Sequence, residues 1–124
     1  MKSATDYLAD ANAVVPRLSV EDAIAKHEAG NSIFIDVRDS AMIAETGTIA
    51  GAVHIPRGFM EFAADDSTAL HNPVLQKDAD ILLVCAAGGM AALAGKTLAD
   101  MGYKNVANIG GFKDWVEAGG KIES

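Results

Sequence analysis

The sequence predicts an α/β fold, a parallel sheet covered by helices, and three observations lead to this prediction. Short apolar runs alternate along the chain with segments of helical periodicity. The strongest run, Ile81–Cys85, is apolar at every position, which is typical of a central strand buried on both faces. With 124 residues, 50% of them apolar, the chain can fill one domain core without disulfides or a structural metal.

The first element of the α/β pattern predicted in the first half of the chain is a helix. Ser19 has the features of an N-cap because an acidic residue, Asp22, follows three positions later. This helix is predicted to run to about Ala29 and to end at Gly30. The other predicted elements of this half are a strand at Ile33–Val37, a short helix from Asp39 to about Glu45 closed by Gly47, a strand at Ala52–Ile55 and a helix at Gly58–Ala64.

In the second half, a helix is predicted directly after the loop that follows Cys85. Its apolar residues recur at helical spacing from Met90 to Met101, and Gly102 stands where the helix should end. The remaining predicted elements are a polar surface connection at His71–Asp80, a strand at Val106–Ile109, a turn at Gly110–Gly111 and a final helix at Phe112–Ala118. Residues 1–16 are predicted to be an N-terminal extension with a short helix, and residues 17–124 the domain.

Composition and charge exclude several classes of protein. The formal net charge of −7 argues against a nucleic-acid partner, which would need clustered Lys and Arg. No apolar run is long enough for a transmembrane helix, and Met1–Pro16 does not have the features of a signal peptide. The single cysteine cannot form an internal disulfide, and a free thiol is normal in the reducing cytosol. We therefore expect a cytoplasmic protein with neither nucleic-acid nor membrane partners.

Cys85 is the candidate nucleophile because of the elements around it. A strand ends at Cys85, the small-residue loop Ala86–Gly89 follows, and a helix then begins. Ligands of open α/β sheets bind at the carboxyl ends of the strands, and backbone N–H groups of such a loop can converge on an anion. The helix dipole contributes about 0.3–1 kcal/mol, less than one pKa unit, so the loop N–H groups would have to provide most of the stabilisation of a thiolate. The alternative is that Cys85 is only a small buried hydrophobic residue.

Four segments, in order, resemble the rhodanese-like family, and the resemblance spans roughly Arg17 to the C-terminus. Each segment alone is weak or moderate evidence, whereas all four at suitable spacing are strong evidence. The segments are I-D-V-R-D at Ile35–Asp39, G-T-I-A-G-A-V-H-I-P at Gly47–Pro56, the strand ending at Cys85 with the loop Cys85–Met90, and G-G-F-K-D-W at Gly110–Trp115 with Gly119–Gly120 behind it.

The resemblance implies a rhodanese-like α/β domain with a five-stranded parallel sheet sandwiched between helices. It also implies that Cys85 accepts a sulfane sulfur from a small-molecule or protein-bound donor and holds it as a persulfide. The sulfur would then pass to a thiophilic acceptor, either cyanide or a thiol. No metal and no organic cofactor is implied, and the two covalent steps predict ping-pong kinetics. The chain has no second cysteine that could resolve the persulfide as an internal disulfide.

The loop departs from the family pattern at two positions. Family members active on thiosulfate commonly have Arg where this chain has Ala86 and Met90, and no basic residue lies between Ala79 and Gly95. Losing a charged hydrogen-bond donor to an anion costs about 1.5–3 kcal/mol, so thiosulfate is disfavoured as the substrate. Arg57 is the nearest candidate to replace the missing arginines, although a solvated surface Arg is the simpler interpretation. The predicted substrate-binding residues are Ala86, Ala87, Gly88, Gly89, Met90 and Arg57.

Two other functions compete with sulfur transfer. A phosphatase of the same fold needs an Arg six residues after the cysteine to clamp phosphate, and this position is Ala91. A non-catalytic rhodanese-like module that binds a partner or senses redox state would explain the Arg-free loop.

Outside the loop, the notable side chains favour structural roles. In the family, the residues at Asp36 and Arg38 brace loops near the site, and Trp115 is expected to pack in the core. The three histidines, His27, His54 and His71, lack ligand spacing, so no metal site is expected. In the second motif, Thr48 and Ala50 replace the usual His and Pro, which puts the stability of that turn in doubt.

Overall fold

The computed structural model describes residues 1–124, and its centre is a sheet of four parallel strands. The strands are β1 (Ile33–Asp36), β3 (Val53–His54), β4 (Asp80–Cys85) and β5 (Asn105–Gly111), and their order across the sheet is β3, β1, β4, β5. The central strand β4 is buried at five of its six positions, as an apolar strand with a neighbour on each side should be.

Helices cover both faces of the sheet, and the alternation of side chains along β4 assigns each face its own core. Leu83 and Cys85 face the larger core beneath α4 (Met60–Ala64) and α5 (Gly89–Asp100). Leu82 and Val84 face the smaller core beneath α2 (Val20–Ala29) and α6 (Phe112–Glu117), where Trp115 is buried as expected. The remaining helices are α3 (Ser40–Thr46) and a 3₁₀ turn at Arg57–Phe59 that leads into α4.

The first helix, α1 (Ala4–Val14), packs on α5. A capping box starts α1: Asp6 N donates to Ser3 Oγ at 3.2 Å, and Ser3 N donates to the Asp6 carboxylate at 2.9 Å. Ala11 is fully buried. A Cβ built on Gly95 of α5 would lie 2.8 Å from the side chain of Val15, so a glycine is needed for this close approach. The division of the chain into an extension and a domain stays a prediction.

The sheet has four strands, whereas the resemblance implied five. Where a fifth strand would lie beside β5, Arg17 forms one isolated parallel bridge with Asn108. Leu18 N donates to Asn108 O at 3.0 Å, and Asn108 N donates to Pro16 O at 2.9 Å. Pro16 has no N–H to extend the ladder, and Ser19 already caps α2, so the pairing stops after one residue.

Two short strands were not predicted. Thr48–Ile49 (β2) and Ile122–Glu123 (β6) form an antiparallel pair separate from the main sheet. Two-residue strands are too short to give a periodic pattern, which is why the sequence did not reveal them. Gly110–Gly111, predicted as a turn, are instead the last residues of β5. None of the helices combines the length and the apolar character that a membrane crossing requires.

Candidate functional site

Cys85 is the last residue of β4, and its sulfur lies inside the loop that leads to α5. Two backbone N–H groups donate to Cys85 Sγ, from Gly88 at 3.0 Å and from Ala91 at 3.3 Å. The residue is 1% exposed and the thiol is free. Two donors directed at one sulfur stabilise negative charge on that sulfur when it is a thiolate.

The predicted loop residues surround this sulfur unevenly. Ala86, Ala87 and Met90 are exposed, Gly89 is half-buried and Gly88 is buried. Gly88 has a φ of 103°, a left-handed conformation that side chains other than glycine rarely adopt, and this conformation precedes the first turn of α5. The loop therefore combines an exposed, uncharged rim with a fixed backbone beneath it.

Asn108, on β5, supports the loop through its side chain, and the sequence did not reveal this role. Its Nδ2 donates to Gly88 O at 2.9 Å, and its Oδ1 accepts from Gly110 N at 2.8 Å. The side chain is 2% exposed. Because the Gly88 N–H is one of the two donors to Cys85 Sγ, Asn108 fixes the peptide chain that carries that donor. A polar residue within the apolar run Val106–Ile109 was the available signal.

Arg17 is a second residue that the sequence did not reveal. Its guanidinium lies against the backbone of the loop: a Cβ built on Gly88 would lie 3.1 Å from Arg17 Nη1, and one built on Gly110 would lie 3.0 Å from Arg17 Cζ. Arg17, Gly88 and Gly110 are far apart in sequence, so no local pattern links them. A cation thus stands beside a loop that has none of its own.

Asp36 and Arg38 form a buried ion pair at the end of β1, the strand next to β4. Arg38 Nη2 lies 2.8 Å from Asp36 Oδ2, and both side chains are at most 3% exposed. Thr48 Oγ1 donates to the same Asp36 oxygen at 2.8 Å, and Arg38 Nη2 also donates to Gly47 O at 2.9 Å. Thr48 therefore attaches its turn to Asp36 by a hydrogen bond. The stability of that turn had been in doubt because Thr48 replaces the usual His of the family motif.

Arg57 does not hydrogen-bond to the Cys85 loop. Its Nη1 donates to Glu61 at 3.1 Å and its Nη2 donates to Thr97 Oγ1 at 3.1 Å. The side chain is 27% exposed and lines a cavity that Gly89 and Met90 also line. No three His, Cys, Asp or Glu side chains lie close enough together to share a metal ion.

Comparison with known proteins assigns this chain to a family. The model of the rhodanese-like domain matches residues 19–118. A putative sulfur carrier protein of Bacillus subtilis is 31% identical over 88% of this chain and 54% of its own length. The chain spans about half the length of the curated relatives it matches.

Two solved structures are also similar. A Rhodopseudomonas palustris protein of unknown function, described as a possible tyrosine phosphatase, has a TM-score of 0.94 at 39% identity, covering 99% of this chain and 96% of that one. The polysulfide-sulfur transferase homodimer of Wolinella succinogenes has a TM-score of 0.74 at 30% identity, covering 94% and 83%. The similarities support a role in sulfur transfer in general.

Proposed function

Because the chain belongs to the rhodanese-like domain family, we propose that it is a sulfurtransferase whose Cys85 carries the transferred sulfur as a persulfide. One observation carries the proposal: Gly88 N and Ala91 N both donate to Cys85 Sγ. A residue that was only a small hydrophobe would not need two backbone donors directed at its sulfur.

The reaction has two displacement steps. In the first, the Cys85 thiolate attacks the outer sulfur of a donor, the Sγ–S bond forms, and the donor leaves with the electron pair of the broken bond. In the second, an acceptor thiolate or cyanide attacks that outer sulfur, the Sγ–S bond breaks, and Cys85 leaves as a thiolate. No net oxidation occurs, and the loop N–H groups stabilise the anionic sulfur in both steps.

The loop favours some donors over others. Ala86, Ala87 and Met90 form its exposed rim and provide no charged donor to an anion. A missing charge-assisted hydrogen bond costs about 1.5–3 kcal/mol, roughly ten- to a hundred-fold in rate. We therefore propose a neutral or protein-bound sulfur donor in preference to thiosulfate, with no metal or organic cofactor.

The test is mass spectrometry of the intact chain after incubation with a polysulfide, mercaptopyruvate or thiosulfate. We expect the mass of one added sulfur on the wild-type chain and none on Cys85→Ser. Because Cys85 is the chain's single cysteine, the intact mass also locates the sulfur. If no donor gives an adduct, the sulfurtransferase proposal is wrong.

The low exposure of Cys85, 1%, together with the Arg-free loop, favours one alternative, a non-catalytic module that binds a partner or senses redox state. The same experiment separates the two, since a module of this kind would form no adduct. A phosphatase, the possible activity in the description of the Rhodopseudomonas palustris protein, is not supported for this chain. The position of the phosphate-clamping Arg is Ala91, which is fully buried and contributes only its backbone N–H to the loop.

The free thiol also bears on location. A persulfide carrier needs Cys85 reduced between turnovers, and reducing compartments keep single thiols in that state. We propose the cytoplasm for this reason. Fractionation with detection of the protein tests it, and recovery in an oxidising compartment would contradict it.

A further inference from the structure

A cavity of about 470 Å³ opens between α1 and the first turns of α5. Its walls are Tyr7 and Leu8 of α1, Gly89, Met90 and Leu93 of α5, and the side chain of Arg57. Small-molecule sites commonly have volumes of roughly 300–1,000 Å³, so the cavity is large enough for a modest organic ligand.

The cavity begins at the Cys85 loop. Gly89 and Met90 line the cavity and are the first two residues of α5, directly after the loop, and the next residue, Ala91, donates its N–H to Cys85 Sγ. A Cβ built on Gly89 would lie 3.5 Å from Leu8 Cδ2, so α1 contacts the loop there. A ligand in the cavity would therefore have one end against the first residues of α5, which follow the loop around Cys85.

Most of the lining is apolar. Tyr7 is 53% exposed and Met90 is 37% exposed, and Leu8 and Leu93 are half-buried between them. These side chains leave apolar surface in contact with water on both sides of the opening. An apolar chain placed between them would remove that surface from water.

One positive charge interrupts this lining. Arg57 forms an ion pair with Glu61 through Nη1 and donates from Nη2 to Thr97, and the rest of its five N–H donors have no acceptor within the protein. Thr97 lies eight residues after Gly89 on α5, about 12 Å along the helix axis, so the guanidinium marks the end of the cavity away from the loop.

We propose that this cavity binds the sulfur acceptor, and that the acceptor is a thiol whose apolar chain ends in a carboxylate. The carboxylate pairs with Arg57, the chain lies between Tyr7 and Met90, and the thiol reaches the loop. The acceptor thiolate attacks the outer sulfur of the Cys85 persulfide, the Sγ–S bond breaks, and the products are an acceptor persulfide and the Cys85 thiolate. This assignment rests on the sulfurtransferase function proposed above.

A binding measurement tests the cavity without any sulfur chemistry. Hexanoate, which has the chain and the carboxylate but no thiol, is titrated into the nitrogen-15-labelled protein while the backbone amide signals are followed. We expect saturable shifts at Leu8, Gly89 and Met90, and affinity about tenfold weaker in Arg57→Gln. No saturable shift at these amides would overturn the cavity assignment, whether or not Cys85 transfers sulfur.

A transfer measurement tests the acceptor. The persulfide form is mixed with ω-mercaptohexanoate, with mercaptohexanol, which lacks the carboxylate, or with β-mercaptopropionate, which has a shorter chain. We expect ω-mercaptohexanoate to react fastest, by about tenfold over mercaptohexanol. Arg57→Gln should remove the preference for the carboxylate, and Tyr7→Ser should reduce the preference for the longer chain.

Val14→Ser is the matched control for Tyr7→Ser. Val14 is also on α1 and is 50% exposed, but it lies outside the cavity, so its substitution should leave both preferences unchanged. Thermal melts show whether each variant is folded. Equal rates for the three thiols with a persulfide present would overturn the acceptor assignment and leave the sulfurtransferase function standing. If the protein binds hexanoate but forms no persulfide, this would instead contradict the sulfurtransferase function and support the cavity as a binding site.

Discussion

Two polar regions lie at the carboxyl ends of the neighbouring strands β1 and β4, and they are built by opposite means. After β1, the buried charged side chains of Asp36 and Arg38 bond to each other, and Asp36 also accepts a hydrogen bond from the half-buried Thr48. After β4, the sulfur of Cys85 is held by backbone N–H groups alone, and the exposed rim carries no charge. Charge is placed where it fixes the fold, and backbone donors are placed where the chemistry is proposed.

This difference has a consequence for how each region responds to substitution. The ion pair depends on side-chain identity, so losing one partner leaves an unpaired buried charge. The loop depends on backbone conformation, so it should respond to changes in Gly88 and in the side chain that holds it, Asn108. The first region should therefore determine stability, and the second should determine the rate of sulfur transfer.

The largest stability effect is expected at the ion pair. Arg38→Met leaves the Asp36 carboxylate buried without its partner, and we expect the free energy of unfolding to fall by about 3–5 kcal/mol. Urea denaturation measures this. Lys113→Met is the control, because Lys113 is 84% exposed and 3.9 Å from Glu117, and its loss should cost less than about 1 kcal/mol. Equal losses in the two variants would contradict the structural role of Arg38.

The next effect is expected at Asn108. Asn108→Leu removes the hydrogen bond to Gly88 O of the loop and the one from Gly110 N of β5, so stability should fall by about 1–3 kcal/mol. Because the bond to Gly88 O holds the residue whose N–H donates to Cys85 Sγ, we also expect slower persulfide formation, followed by intact mass over time. A loss of stability with an unchanged rate would show that the loop keeps its conformation without Asn108.

The Gly88→Ala variant tests whether the backbone conformation at this position affects persulfide formation as well as stability. Gly88 has a left-handed φ of 103°, so adding a Cβ there should lower the free energy of unfolding by about 1–2 kcal/mol. Gly119→Ala is the matched control, with a φ of 87° and no atom near the added Cβ. Both variants should lose stability in urea, and only Gly88→Ala should slow persulfide formation. The loop account is wrong if the two variants transfer sulfur equally fast.

Adding charge to the loop should broaden its range of donors. Ala86→Arg with Met90→Arg places two guanidinium groups on the rim, and we expect thiosulfate turnover to rise roughly ten- to a hundred-fold. Val14→Arg with Val116→Arg adds the same net charge at exposed positions away from the loop and should change little. Turnover that stays flat in the loop variant would mean that the missing arginines do not limit this reaction.

The smallest effect is a pH dependence at Asp80, where β4 begins. Partial burial opposes its ionisation, but hydrogen bonds from Ser32 Oγ and Lys26 Nζ outweigh that, so the pKa of the Asp80 carboxyl lies below its ordinary value. A lowered pKa contributes stability above about pH 4 that is lost as the pH falls further. Asp80→Asn should therefore be less stable at neutral pH, by less than about 1 kcal/mol, and should equal the wild type in acid. A difference that persists unchanged in acid would rule out this linkage.

The sequence predicted best those helices and strands whose signal, hydrophobic periodicity or a helix cap, lies within a few neighbouring residues. The apolar run before Cys85, the helix after it and the end of α2 at Gly30, which has a φ of 79°, are all present as predicted. The fifth strand came from the resemblance alone, and in its place is the one-residue bridge between Arg17 and Asn108. Pro16 has no N–H and the helix cap Ser19 follows only three residues later, so there is no room for a longer ladder.

The site was only partly predictable for the same reason. The position of Cys85 at a strand end followed from local pattern, and so did the small loop. The contact of Arg17 with Gly88 joins segments far apart in sequence, and no periodicity reports such a contact. The wall that Leu8 provides beside Gly89 depends on how α1 packs, which its composition did not reveal.

The most direct test of the account is a two-step mass measurement on one sample. The protein is loaded with polysulfide, freed of donor and weighed, and is then mixed with a thiol and weighed again. We predict that the chain gains one sulfur in the first step and loses it in the second, while Cys85→Ser does neither. A chain that gains no sulfur, or keeps it in the presence of the thiol, would contradict Cys85 as a sulfur carrier.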